Sequence, residues 1–337
     1  AWGNCDVDYP REALVSPYGF STAQEHYEAL LAETEAKGGP TQYTRENPPP
    51  DWEGRYRSGA GFLHQARRAR APMVLPEDFF EPPQWITGIH NQMPTILSLL
   101  TEEYQLRLVQ QLYHQSKNHA AQWSLMYCRP EGFMRWWSGQ GVSDLDVSVT
   151  PQRVHFFGGL GNAMHNVYIG REFNMSGPVP RLGADVAQWY GETIGFWDGD
   201  ALISWTSNIQ GWMTHGSWEH SSQLQAIQIW TPRMSDDGKF MGLEHESIFY
   251  DPEALVEPIR SVRYFAWQGV FNDVAPNQFT HCNQTIFPID GRGQPVSPGT
   301  VFEYEAEDLY GRPWAHIWEK YFEEGMQRPE REALFGF

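Results

Sequence analysis

The sequence predicts a mainly β chain with a helical N-terminal segment, an α+β arrangement whose larger part is an antiparallel sandwich or barrel. Three observations predict it. From about residue 125 onward, short aromatic and β-branched runs alternate with Gly, Pro, Asn and Asp clusters. Before that point the pattern is helical and loop-rich. The segment from Trp189 to Thr206 reads as two strands on a tight turn, because Asp198-Gly199-Asp200 offers a glycine for the positive φ of a hairpin.

The elements follow in order. Ser21-Thr22-Ala23-Gln24 has the form of a capping box, so a helix starts there, runs through Tyr27, Leu30 and Leu31, and stops at Gly38-Gly39. Residues 40–52 form a Pro-rich extended connector that closes on Pro48-Pro49-Pro50-Asp51. A second helix is expected over about 102–117, with Thr101 as N-cap and Tyr104, Leu106, Leu108 and Leu112 as its apolar contacts. Strands are expected at Val147–Val149, Arg153–Phe157, Met164–Tyr168, Glu192–Trp197, Ala201–Trp205, Leu224–Trp230, Glu244–Tyr250, Val262–Trp267 and Phe279–Ile286. A last helix is expected over about 313–325, with Pro313 in its first turn and Gly325 at its stop. The chain thus divides into a helical extension, 1–50, and a β domain, 51–337, that carries both later helices.

Composition narrows the function classes. The 337 residues are 41% hydrophobic and 20% charged, as in globular chains. Aromatic residues reach 15%, which suits aromatic-lined cavities and also plain aromatic-rich β-structure. Net charge is -18, from 42 acidic against 24 basic side chains, which argues against nucleic acid and anionic membrane surfaces as partners. No run of ~18 apolar residues exists, so no membrane insertion is expected. The chain begins Ala1-Trp2-Gly3-Asn4-Cys5, without Met, which suits a processed mature N-terminus. Cys5, Cys128 and Cys282 leave open one disulfide plus a free thiol, and none forms a CxxC pair. No P-loop, dinucleotide fingerprint, HExxH or GxSxG is present, so no cofactor and no metal is expected. The partner expected is a hydrophobic or aromatic small molecule, with a homo-oligomer left open.

Several blocks match one family pattern in order. Asp51-Trp-Glu-Gly-Arg-Tyr56 is similar to "DLSGxW", and Leu100-Thr-Glu-Glu-Tyr-Gln-Leu-Arg107 to "LTPEYQAR". Cys128-Arg-Pro-Glu-Gly-Phe-Met-Arg135 is similar to "CxPxGxPR", and Thr150-Pro-Gln-Arg-Val154 to "TPGRV". Gly191 to Leu202, Glu219 to Trp230 and Tyr250 to Pro258 are similar to "GHSIGxWEGDTLVVDT", "PHSExLHVVERF" and "xDPxxFTRPW". The chain resembles, over roughly half its length, a family of mostly uncharacterised exported bacterial proteins. The resemblance implies a periplasmic or secreted protein with an antiparallel calycin-like or lipocalin-like barrel. Glu192, Trp205 and Gln228 stand where that family has His, Asp and Glu, whereas His220 and Ser221 match.

Candidate chemistry falls on a few side chains. Glu192 shares a strand face with Ile194 and Phe196, opposite Thr193, Gly195 and Trp197. If its face is the barrel interior, desolvation would fit it for acid or base work; otherwise it is a carboxylate bonded to a turn or an Arg. His220 and His215 flank a loop suited to a pocket rim. Tyr168 shares a face with Met164 and Asn166, while His165 and Val167 share the other, and Arg171 follows. Glu244 and Glu246 share a face, and a strand places them only ~7 Å apart. The leading expectation is a cofactor-independent lyase, dehydratase or isomerase. In it Glu192, His220 and Tyr168 are catalytic, and Trp189, Trp197, Trp205, His165, Arg171, His215, Gln228 and Glu246 bind the substrate. The alternatives are a lipocalin-type binding protein without turnover and, third, a carbohydrate-active enzyme.

Overall fold

The structure is a computed structural model and describes residues 11–58, 97–118, 130, 132–133, 144–158, 163–213, 219–271, 273, 286–289 and 292–295. Nine strands close into a barrel. They are β1 (Gly54–Ser58), β2 (Asp144–Thr150), β3 (Arg153–Gly158), β4 (Ala163–Ile169), β5 (Glu192–Asp198), β6 (Ala201–Ser207), β9 (Gln225–Met234), β10 (Phe240–Tyr250) and β11 (Ile259–Gly269). Two small hairpins stand apart: β7 (Trp212–Met213) with β8 (Glu219–His220), and β12 (Ile286–Ile289) with β13 (Arg292–Pro295). Around the barrel the order is β1-β11-β10-β9-β6-β5-β4-β3-β2.

The expected antiparallel barrel is in fact mixed, because β4 pairs with β5 in parallel. Strand count requires this. Each antiparallel neighbour reverses direction, and a closed ring of nine strands cannot reverse nine times and return to its start. The other pairs are antiparallel. A parallel pair needs a crossover, and residues 170–191 supply it. Phe173, in this crossover, packs edge-on against Trp205 at 5.0 Å. The β5–β6 turn is as tight as expected: Asp198 pairs with Ala201, and Gly199 takes φ 58°.

Helix α2 (Ala23–Ala36) lies against β6 and β9 on the outside of the barrel. Its capping box falls one residue later than the sequence suggests. Thr22 accepts from the Glu25 backbone, and the Glu25 carboxylate accepts from the Thr22 N–H. Tyr27 and Leu30 meet Ile194, Phe196, Ile203 and Trp205 in an outer apolar cluster. A short helix, α1 (Arg11–Leu14), precedes it. A third helix, α3 (Glu102–Asn118), matches the expected second helix. Thr101 does not cap it by its side chain; its hydroxyl donates to the Glu253 carbonyl at 2.7 Å and ties α3 to the β10–β11 connection. Of the expected strand Phe279–Ile286, residues 279–285 lie outside the described residues, and Ile286 is the first residue of β12. The helix over 313–325 lies outside the described residues.

Candidate functional site

Alternation decides which side chains enter the barrel. The inner apolar cluster contains Trp197, Leu202, Ala226, Trp230, Leu243 and Phe265. Side chains an even number of residues away on the same strands share that interior, so Thr193, Thr206, Gln228, His245 and Arg263 point inward. Ile194, Ile203, Ile227, Ile229 and Ile248, at the intervening positions, belong to the outer cluster.

Gln228 stands at the centre of this interior. Its Nε2 lies 3.3 Å from His165 Nε2 and 3.2 Å from Thr206 Oγ1, and its Oε1 lies 3.2 Å from His245 Nε2. Thr206 Oγ1 lies 2.9 Å from Thr193 Oγ1, and Ser247 Oγ lies 3.0 Å from His245 Nε2. The Trp230 ring is stacked between His245, at 3.7 Å, and Phe156, at 4.4 Å. That sandwich fixes the plane of the His245 imidazole. Phe156 and Phe133 both lie about 6 Å from His165.

This interior keeps both imidazoles neutral. Burial pushes His165 down to about 3, with the His155 charge as a smaller cause. Burial also holds His245 well below the usual histidine range, assisted by the charge of Arg263 and the electrostatic competition of His165 for a proton. Arg263 is opposite His245 in the β10–β11 register, and its guanidinium lies 5.4 Å from the Phe265 ring. Two proton arrangements fit the Gln228 bridge. In one, the amide N–H donates to His165 and the carbonyl accepts from His245. Reversing the amide reverses both tautomers. In either arrangement one imidazole is a donor towards the amide and the other an acceptor.

Of the residues the sequence singles out, only His165 and Gln228 meet in this interior. Glu192 lies on the outer face, so the condition for its acid–base role is not met. Its carboxylate accepts from the backbone N–H groups of Leu182, Gly183 and Ala184 and from Asn208 Nδ2, at 3.0–3.3 Å. It thereby pins the crossover that the parallel pair demands. Tyr168 is also outside, under the Arg171 guanidinium at 5.1 Å. His220 is buried in the β7–β8 hairpin, where its Nδ1 lies 3.2 Å from the Ser221 carbonyl. Burial lowers its pKa, while the Ser221 carbonyl and the Asp251 charge oppose that shift. Glu192, Tyr168 and His220 make no hydrogen bond to one another, and their partners are other groups.

The three tryptophans do not shape one pocket. Trp197 is interior and packs edge-on against Trp52 at 5.0 Å. Trp205 is outside, its Nε1 donating to Gln225 Oε1 at 2.9 Å. Trp189 donates to the Pro130 carbonyl at 2.9 Å and lies 5.5 Å from Trp212. Glu246 is a buried outer-face carboxylate, bound to Arg260 Nε at 2.6 Å and to the Tyr18 hydroxyl at 2.9 Å. His215 lies outside the described residues.

Sequence reasoning missed His245, Thr206, Ser247, Trp230 and Arg263. The signal was present in Glu244-His245-Glu246. The paired glutamates drew attention, yet their shared face is the outer one, and His245 between them enters the barrel. Comparison with known proteins adds no relative, since no family model, curated protein or solved structure matches the chain.

Proposed function

We propose that the barrel encloses a hydrophobic or aromatic small molecule and isomerises it by cofactor-independent acid–base chemistry at His165 and His245. The observation that carries this reading is the pair of neutral imidazoles sharing the Gln228 amide inside an aromatic interior. A core assembled for stability alone is more cheaply filled with apolar side chains, because each buried polar group must be paired. Such an interior disfavours any step that leaves a net charge behind. Isomerisation meets that constraint. One imidazole takes a proton from one atom of the ligand and returns it to another; the ligand anion and the imidazolium form together and vanish together. A calycin-like kinship, an exported location and the family resemblance are consistent parts of this reading, since such barrels hold small ligands in their interiors.

A second reading, binding without turnover, is favoured by the low pKa of His165, which makes it a permanent hydrogen-bonding group. One experiment separates the two. The protein is placed in deuterated water with a panel of aromatic and hydrophobic ketones, and carbon-bound deuterium is followed by NMR. Binding of the neutral fluorophore N-phenylnaphthylamine is measured in parallel. Turnover predicts deuterium uptake that falls by about a hundredfold or more in His245→Ala and His165→Ala. Probe binding without any uptake favours the binder. Absence of both overturns the enclosure itself.

A further inference from the structure

Outside the barrel, residues 18–20 and α2 leave a cleft between them. Its volume is about 330 Å³, and it is lined by Tyr18, Phe20, His26, Ala29, Leu30 and Glu33. Small-ligand sites occupy about 300–1,000 Å³, so the cleft is large enough for one. Residues 26, 29, 30 and 33 recur at helical spacing and make one face of α2. The cleft changes character along that face. At its closed end His26 and Leu30 are 1% and 5% exposed. Phe20 stacks on the His26 ring at 4.7 Å and Tyr18 leans on it at 4.6 Å, so three rings make one wall. The Tyr18 hydroxyl donates to Glu246 at 2.9 Å, and His26 Nδ1 lies 2.8 Å from the Tyr250 hydroxyl, which anchors the wall to β10. Tyr18 and Phe20 are half-buried, so part of each ring lies open along the cleft.

Glu33 stands at the other end. It is exposed and seven residues along α2 from His26, a rise of roughly 10 Å. Its Oε1 accepts from Lys37 Nζ at 2.8 Å, and Lys37 also reaches Asp198 at 3.2 Å. Glu33 is therefore already partnered. A carboxylate offers about four acceptor sites, however, and both side chains of this pair are 52% exposed, so sharing the carboxylate costs little.

We propose that this cleft binds an organic monocation, an aralkylamine whose ring packs against Tyr18, Phe20, Ala29 and Leu30 and whose ammonium reaches Glu33. The orientation follows from the burial along α2. The apolar body leaves water where the wall is buried, and the ammonium stays hydrated beside a carboxylate. Asp198 keeps Lys37 paired when Glu33 shares its oxygens with the ligand. The field of a chain with net charge -18 favours a cation over an anion there. This site is separate from the barrel interior and does not depend on what the barrel encloses.

The test titrates phenylbutylamine and its neutral counterpart phenylbutanol against the full chain at neutral pH by calorimetry, and follows the histidine ring nitrogens by NMR. The amine is expected to bind about fivefold or more tightly than the alcohol and to shift His26, with His165 and His245 unmoved. Glu33→Gln is expected to remove the preference. Glu28→Gln takes the same charge from an exposed position of α2 outside the cleft and is expected to retain it. Equal affinities overturn the proposal. So does a preference that survives Glu33→Gln or falls equally in Glu28→Gln, because the field of the whole chain then holds the cation. Shifts at His165 or His245 in place of His26 put the amine in the barrel and overturn it as well. If neither compound binds, the proposal fails while the barrel reading stands.

Discussion

His165 and His245 share one amide: Gln228 lies 3.3 Å from the first imidazole and 3.2 Å from the second, inside a closed barrel. The bridge links the proton positions of two residues on strands that are not neighbours in the sheet. Replacing Gln228 by Glu puts a carboxylate between the two imidazoles. The expected result is a rise in the pKa of both histidines, since a nearby negative charge favours the protonated form. Ring-proton NMR titration of Gln228→Glu against wild type checks this, and unchanged titrations contradict the bridge.

Acid stability follows from the same burial. His165, His245 and His220 are all held below the free value of 6.5. The unfolded chain therefore takes up protons that the folded chain refuses, and stability falls as pH drops below 6.5 towards the folded values, about 3 for His165. Well above 6.5 these groups contribute no pH dependence. His165 alone accounts for a loss of about 1.4 kcal/mol on going from about pH 7.5 to about pH 5.5, and His245 and His220 add to it in the same direction. Urea denaturation at the two pH values measures it, and a pH-independent midpoint contradicts the burial of charge-free imidazoles.

Alternation along each strand was legible in the sequence, and the faces of β4 and β5 divide as the residues suggested. Which face turns inward was not legible on β5, β6 and β10. Helix α2 and the crossover cover the outer face of these strands, so both faces are buried and the usual contrast between apolar and polar sides disappears. Glu192 looked like an ionisable group in an apolar interior for this reason. The parallel pair was hidden because its cause is the parity of the strand count, which no local pattern encodes. Helices α2 and α3 were legible to within a residue or so because capping and periodicity are local, whereas the four-residue α1 is too short to leave a periodic signal.

Glu192 holds backbone donors of the crossover, so Glu192→Gln loses a charged acceptor but keeps the barrel interior. The expected cost is about 1–3 kcal/mol of stability with probe binding unchanged. Thermal denaturation alongside N-phenylnaphthylamine titration checks both halves. A fully stable variant without turnover would return Glu192 to the chemistry.

The Arg260–Glu246 pair is buried on the outer face, at 3% and 4% side-chain exposure. Glu246→Gln removes the negative charge facing the buried Arg260 guanidinium and is expected to cost about 3–5 kcal/mol. Replacing both residues by Met is expected to recover most of that loss. Urea denaturation of the single and double variants tests it, and a double variant no better than the single one contradicts it.

The central claim is that ligand enters the barrel and meets His165 and His245. Ring-nitrogen NMR of the histidines, with and without N-phenylnaphthylamine, tests it most directly. Shifts are expected at His165 and His245, with His26 and His155, which lie outside the barrel interior, left unmoved. Shifts confined to His26, beside the outer cleft formed by Tyr18, Phe20 and α2, would place the ligand outside the barrel and contradict the account.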